Sequence, residues 1–141
     1  MAANVVGIIL KLDFGDKSEV YDDSYLSELM QQKSWYTPRR YAGLDGVGRK
    51  LYFYDRTRKA ITAEVKIGSI VKTGEDANYP WRNSFEPGTI RVYKSPIPRA
   101  KLHSIMGFEN LGTPRKDRTP YRNVTPAQDL KIMRLRRKMA G

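Results

Sequence analysis

Residues 51–71 constrain the fold more than any other stretch of this chain. Leu51-Tyr52-Phe53-Tyr54 is an apolar, aromatic run, Asp55–Lys59 is a polar turn, and Ala60–Val71 opens with strict alternation. Ile61, Ala63, Val65 and Ile67 fall on one face and Thr62, Glu64 and Lys66 on the other, the period of a strand. The two runs predict an antiparallel hairpin. A hairpin alone cannot bury its apolar face, so other strands must join it. Asn4–Leu12, almost continuously apolar, reads as a buried strand, and Thr89–Lys94 as another.

The helical signals are shorter. Asp23 or Ser24 can cap a helix whose Tyr25, Leu26, Leu29 and Met30 share a face. Pro98–Met106 reads as a short helix, with Pro98 at its first position and Gly107 as its C-terminal stop. Thr125-Pro126-Ala127-Gln128 is a capping box, the clearest helix start in the chain. Ser34–Gly48, Thr73–Gly88 and Leu111–Tyr121 read as loops. Strands outnumber helices without βαβ alternation, so the expected fold is α+β: a small antiparallel β-barrel flanked by short helices. At 141 residues the chain has length for one core. The expected layout is one domain over residues 1–135 and a basic C-terminal tail over 136–141.

Several function classes drop out. With no Cys there are no disulfides, thiolate metal sites or cysteine nucleophiles. With one His, His103, a three-His zinc site cannot form within the chain, and no cofactor or metal is expected. Val5–Leu10 is too short to span a bilayer and lacks the basic flank of a signal peptide, so a cytoplasmic location is expected. Gly43–Gly48 is no P-loop, because no Gly-Lys-Ser/Thr follows.

Charge gives the first positive indication. Residues 91–141 hold thirteen basic and three acidic residues, whereas residues 1–90 are nearly balanced. Such a segregated excess predicts a polyanionic partner. The helix-ending cations Lys131, Arg134, Arg136, Arg137 and Lys138 lack the Trp and Phe of a membrane-surface helix, so nucleic acid is the expected partner. Aromatic residues then stand beside cations in three loop segments: Ser34–Tyr41, Tyr79–Asn83 and Tyr121–Asn123. Flat rings stack on bases while arginines hold phosphates. The competing chemistry is a nuclease. Asp55, Glu64 and Lys66 have the spacing of a metal-dependent cleavage site, in which two carboxylates hold Mg²⁺ and the lysine assists water.

The order of these features resembles the PUA-like superfamily, in particular its EVE and ASCH branches, which are related to YTH domains. The resemblance rests on Asn4–Leu10, on Ser34-Trp35 before Leu51-Tyr52-Phe53-Tyr54, and on Ala60-Ile61-Thr62-Ala63-Glu64-Val65. It continues through Ile90-Arg91-Val92, Ile97–Leu102 and Tyr121–Pro126. Asp55-Arg56 stands where the family has a His-Ser element, and Gly48-Arg49-Lys50 where it has Gly-Asp. The resemblance implies a barrel-like core and a pocket for a flipped or single-stranded base, often a modified one. It implies Trp35 and Tyr54 as pocket residues. Trp81 and Tyr121 are pocket candidates by composition, and Arg39, Arg40, Arg82, Arg115, Lys116, Arg118 and Arg122 are the expected phosphate ligands. Some ASCH-type relatives cleave RNA, which keeps the nuclease alternative in view. A structural role in a ribonucleoprotein is a third reading.

Overall fold

The computed structural model describes residues 4–12, 33–45, 48–117 and 119–140. The helix expected from Asp23 or Ser24 and the candidate phosphate ligand Arg118 lie outside these residues. Seven strands form one sheet: β1 (Gly7–Leu12), β2 (Ser34–Thr37), β3 (Arg49–Asp55), β4 (Ala60–Lys72), β5 (Trp81–Phe85), β6 (Arg91–Pro98) and β7 (Tyr121–Val124). Among the described residues the α-helices are α1 (Arg99–Leu102) and α2 (Pro126–Ala140), and Ala42–Leu44 forms a 3-10 turn. The strand order is β2-β5-β4-β3-β1-β7, with β6 pairing the outer side of β4.

The expected hairpin is present as β3 and β4, closed by the turn Arg56–Lys59. Asp55 shapes that turn by accepting hydrogen bonds from the backbone N–H groups of Thr57 (2.9 Å) and Arg58 (3.2 Å). Two features of the sheet differ from the expected antiparallel barrel. The sheet is mixed, because β1 runs parallel to β3. Parallel neighbours need a long crossover, and the connection from Leu12 to Arg49 supplies it by way of β2 at the far end of the sheet. The barrel is also left open: among the described residues no backbone pairing joins β2 to β7.

Both faces of the sheet are covered, which divides the core in two. Ile8, Leu10, Leu51, Phe53, Ala63, Val65 and Ile67 share one side with Tyr41 and Leu44. Ile9, Tyr52, Tyr54, Ile61, Tyr93 and Ile97 lie on the other side, under Leu102, Phe108, Leu111 and Ile132. Strict alternation places Ile61 with Ala63, yet the two are on opposite faces. A bulge at Thr62 separates the Phe53–Ala63 pair from the Tyr54–Ile61 pair and turns the strand by one residue.

The capping box forms as expected. Gln128 donates its N–H to Thr125 Oγ1 (3.3 Å), and Gln128 Oε1 accepts from the Thr125 N–H (2.9 Å). Thr125→Ala is expected to lower stability by about 1 kcal/mol, read from a urea unfolding midpoint. Helix α2 continues to Ala140, so residues 136–140 of the expected tail are helical, and Met139 packs on the core. The Pro98–Met106 segment keeps only one helical turn. Pro98 ends β6, and the chain after Leu102 proceeds by tight turns, with bonds from Ser104 N to Lys101 O and from Ile105 N to Leu102 O.

Candidate nucleic-acid interface

The open seam of the sheet is a cavity of about 890 Å³. Leu10 and Leu12 at the end of β1 form one wall, Trp35 and Tyr36 of β2 the other, and Tyr41 and Tyr79 stand at its margin. Lys33 also lines it, so the chain both leaves the described structure after Leu12 and returns to it at this cavity. The rings are fixed from behind. Trp35 meets Phe53 edge-on, with centroids 5.2 Å apart, and Tyr41 lies 4.3 Å from Tyr121. This second contact ties the start of β7 to the chain that follows β2, across the gap that no backbone pairing closes.

Strand β5 holds β2 in place through one buried amide. Asn83 is fully buried and donates Nδ2 to the Trp35 carbonyl (2.9 Å) and to Thr37 Oγ1 (3.1 Å). The cavity lining carries both signs of charge, with Glu75 and Asp76 on one part, Lys11 and Lys33 on another, and Glu75 accepting from the Tyr36 hydroxyl (2.7 Å). Carboxylates here repel phosphates but accept from N–H groups on a base edge. Exposed Arg39 follows Pro38, just after β2. Arg40 lies 5.9 Å from the Trp81 ring centroid and 2.8 Å from Asp45.

The sequence-derived pocket residues therefore separate. Trp35 lines the cavity and Tyr121 backs Tyr41. Trp81 sits at the end of β5, opposite Thr37, under Arg40. Tyr54 is buried on the other face of the sheet, and its hydroxyl lies so close to Gly112 that a Cβ there would collide with it. Strand alternation explains this outcome: Phe53 points to the cavity side, so Tyr54 cannot. Tyr36, Tyr41 and Tyr79, which do reach the cavity, belong to the aromatic segments noted in the sequence but were not singled out there.

The candidate phosphate ligands spread over three places. Arg39 and Arg40 flank the cavity, and Arg82 faces Glu75 at 3.9 Å. Arg115 and Lys116 are exposed on the loop before β7, while Arg122 donates to the Gly107 carbonyl (2.8 Å). Asp117 organises that loop. It pairs with the buried Lys11 ammonium at 2.6 Å and accepts from the Gly112 N–H and the Thr119 hydroxyl, both at 2.8 Å. Burial pushes the Asp117 carboxyl up. The Lys11, Gly112 and Thr119 hydrogen bonds and the Lys11 charge outweigh it and hold the group well below the usual carboxylate range.

The nuclease residues do not converge. Glu64 is buried beneath α2, where it bonds to Arg136 and accepts from the Tyr93 hydroxyl (2.8 Å). Lys50 stands 3.9 Å from Glu64 and 3.2 Å from Asp129, and Asp129 also accepts from the Tyr52 hydroxyl. Burial raises both phenol pKa values, so Tyr52 and Tyr93 stay neutral donors. Asp55 lies on the opposite face from Glu64, three residues beyond Glu64's partner Tyr52, about 10 Å along the strand. Lys66 is exposed. No cluster of three metal-ligating side chains exists among the described residues. His103 is structural, with Nε2 2.9 Å from the Leu111 carbonyl oxygen.

Among the described residues, a mixed seven-stranded sheet with an unclosed seam, the one-turn α1 and the fifteen-residue α2 form an α+β fold of PUA-like type. No family model and no curated protein matches the sequence. Solved structures do match. The fold is that of the ASCH protein from Zymomonas mobilis, with a TM-score of 0.55 at 12% identity over 92% of this chain and 95% of that one. Rpa0253 from Rhodopseudomonas palustris gives a TM-score of 0.62 at 13% identity, covering 96% of this chain and 95% of its own. A hypothetical protein from Leishmania major gives 0.56 at 18% identity, with 96% of each chain covered. Among the described residues no helix is long and apolar enough to cross a membrane.

Proposed function

We propose that the chain is a nucleic-acid-binding module that takes a single base into the seam cavity and holds the neighbouring phosphates on cations outside it. The observation that carries this reading is the cavity itself: about 890 Å³, with Trp35, Tyr36 and Tyr41 around an apolar floor. Such a space admits one unstacked base, and the half-buried Trp35 and Tyr36 are the rings available for stacking, with buried Tyr41 behind them. Glu75 and Asp76 at the rim favour a base edge that carries N–H donors. Phosphates of the neighbouring nucleotides fall to Lys33 at the margin and to Arg39 and Arg40. An apolar, aromatic floor gains from an added methyl group, so a methylated base is the favoured ligand.

Trp35→Ala is expected to weaken binding of the preferred nucleoside by about 1–3 kcal/mol, roughly 5- to 150-fold, by calorimetric titration. Its salt dependence on oligonucleotides should stay that of the parent. Arg115→Ala combined with Lys116→Ala should do the opposite, weakening all sequences alike and flattening the salt slope by about 0.7 for each single-strand phosphate no longer neutralised. Unchanged nucleoside binding by the Trp35 variant would remove the cavity from the mechanism.

A further inference from the structure

A second cavity, of about 370 Å³, lies between β6 and α2, on the face of the sheet turned away from the seam. Its shape comes from an irregularity in strand pairing. Between the Ala63–Val92 and Ile61–Ile97 pairs, β6 spends four residues where β4 spends only Thr62. The surplus carries Lys94 and Ser95 away from the sheet and opens the space beneath the helix. Arg91, Lys94, Arg136 and Arg137 all line it.

These four cations are not equivalent. Arg136 is bonded to buried Glu64, and its guanidinium lies over the Tyr93 ring, 5.8 Å from the centroid. That anchors one charge at the base of the groove. Arg91, Lys94 and Arg137 are exposed and make no ion pair among the described residues. Like charges gathered around one concave space repel one another, and an anion entering that space relieves the repulsion. Guanidinium forks match phosphate oxygens in pairs.

The walls also say what kind of anion fits. Tyr93, the one aromatic residue among the described residues that line the groove, is buried and covered by Arg136, so no ring face is left to stack on a base. The exposed large apolar residues, Val71, Tyr79, Met106 and Leu130, all lie outside the groove, which argues against a lipid surface. We propose that this groove is a phosphodiester-binding site, a track for the sugar-phosphate backbone of a nucleic-acid strand. It shares its ligand class with the function proposed above but none of its residues.

The test uses an oligodeoxynucleotide made entirely of abasic sites, which offers phosphates and no bases. The full chain should bind it. The triple variant Arg91→Ala, Lys94→Ala, Arg137→Ala should bind at least tenfold more weakly, with a salt slope lower by about two, from roughly 0.7 per phosphate no longer neutralised. Trp35→Ala should bind this strand as the parent does, which separates the groove from the seam cavity. The three substituted residues are exposed and outside the Glu64 network, and an unchanged urea midpoint confirms that the variant folds. Equal affinity and slope for parent and triple variant would overturn the proposal. So would a parent chain that binds nucleosides but not the abasic strand, or equal competition by poly-glutamate of matched charge.

Discussion

Asp117→Ala is expected to lower folding stability by about 3–5 kcal/mol. The substitution leaves the Lys11 ammonium without its counter-charge in a site where both side chains are 1% exposed. It also removes the acceptor of the Gly112 N–H. Replacing both partners, as in Lys11→Met with Asp117→Leu, should cost far less than replacing Asp117 alone, because no uncompensated charge remains. A urea unfolding series on the three variants checks this. The pH dependence has a definite sign. The native Asp117 carboxyl titrates below its ordinary 3.8, so its contribution is complete above that value and is lost as pH falls through the native pKa. Burial lowers the Lys11 pKa below its ordinary 10.5. In Asp117→Ala the native state binds fewer protons than the unfolded chain in the window below 10.5, so the variant should regain stability as pH rises there.

Glu64→Ala is expected to be nearly as costly, again about 3–5 kcal/mol, or roughly 10–20 °C in Tm for a domain of this size. Glu64 is buried and is the acceptor for both Arg136 and the Tyr93 hydroxyl. Its removal strands a cation and a phenol beneath α2, and it unfastens the helix from the sheet. Glu64→Gln keeps an acceptor but loses the charge, so an intermediate loss is expected. A thermal melt of each variant decides the matter. A Tm that barely moves in Glu64→Ala would mean that the carboxylate is not structural and would make it a catalytic candidate again.

The central part of the fold is legible in the sequence because β1, β3 and β4 are apolar runs with a strand period. What sequence reading missed is governed by contacts between distant residues. Strand β5 reads as loop because Trp81-Arg82-Asn83-Ser84-Phe85 places a polar amide at a fully buried position. Only its partners on β2, the Trp35 carbonyl and the Thr37 hydroxyl, make that burial tolerable. Strand β2 is four residues long and ends at Pro38, too short to show a period. The bulge at Thr62 interrupts an alternation that looks perfect in one dimension. The site was half legible for the same reasons. Composition marked the aromatic segments, but only strand parity separates Trp35, which lines the cavity, from Tyr54, which is core. The nuclease pattern fails on parity too, since Asp55 and Glu64 point to opposite faces. The four-cation groove depends on a mismatch between two strands, and no local pattern encodes it.

The pairing of β1 with β7 joins Gly7 to Val124, nearly the full length of the chain. Contacts so distant in sequence close late in folding. During synthesis the hairpin of β3 and β4 can assemble as soon as it emerges, whereas the seam has both margins only after Tyr121 and its neighbours have left the ribosome. A nascent chain therefore holds the hairpin before the seam cavity has both of its margins.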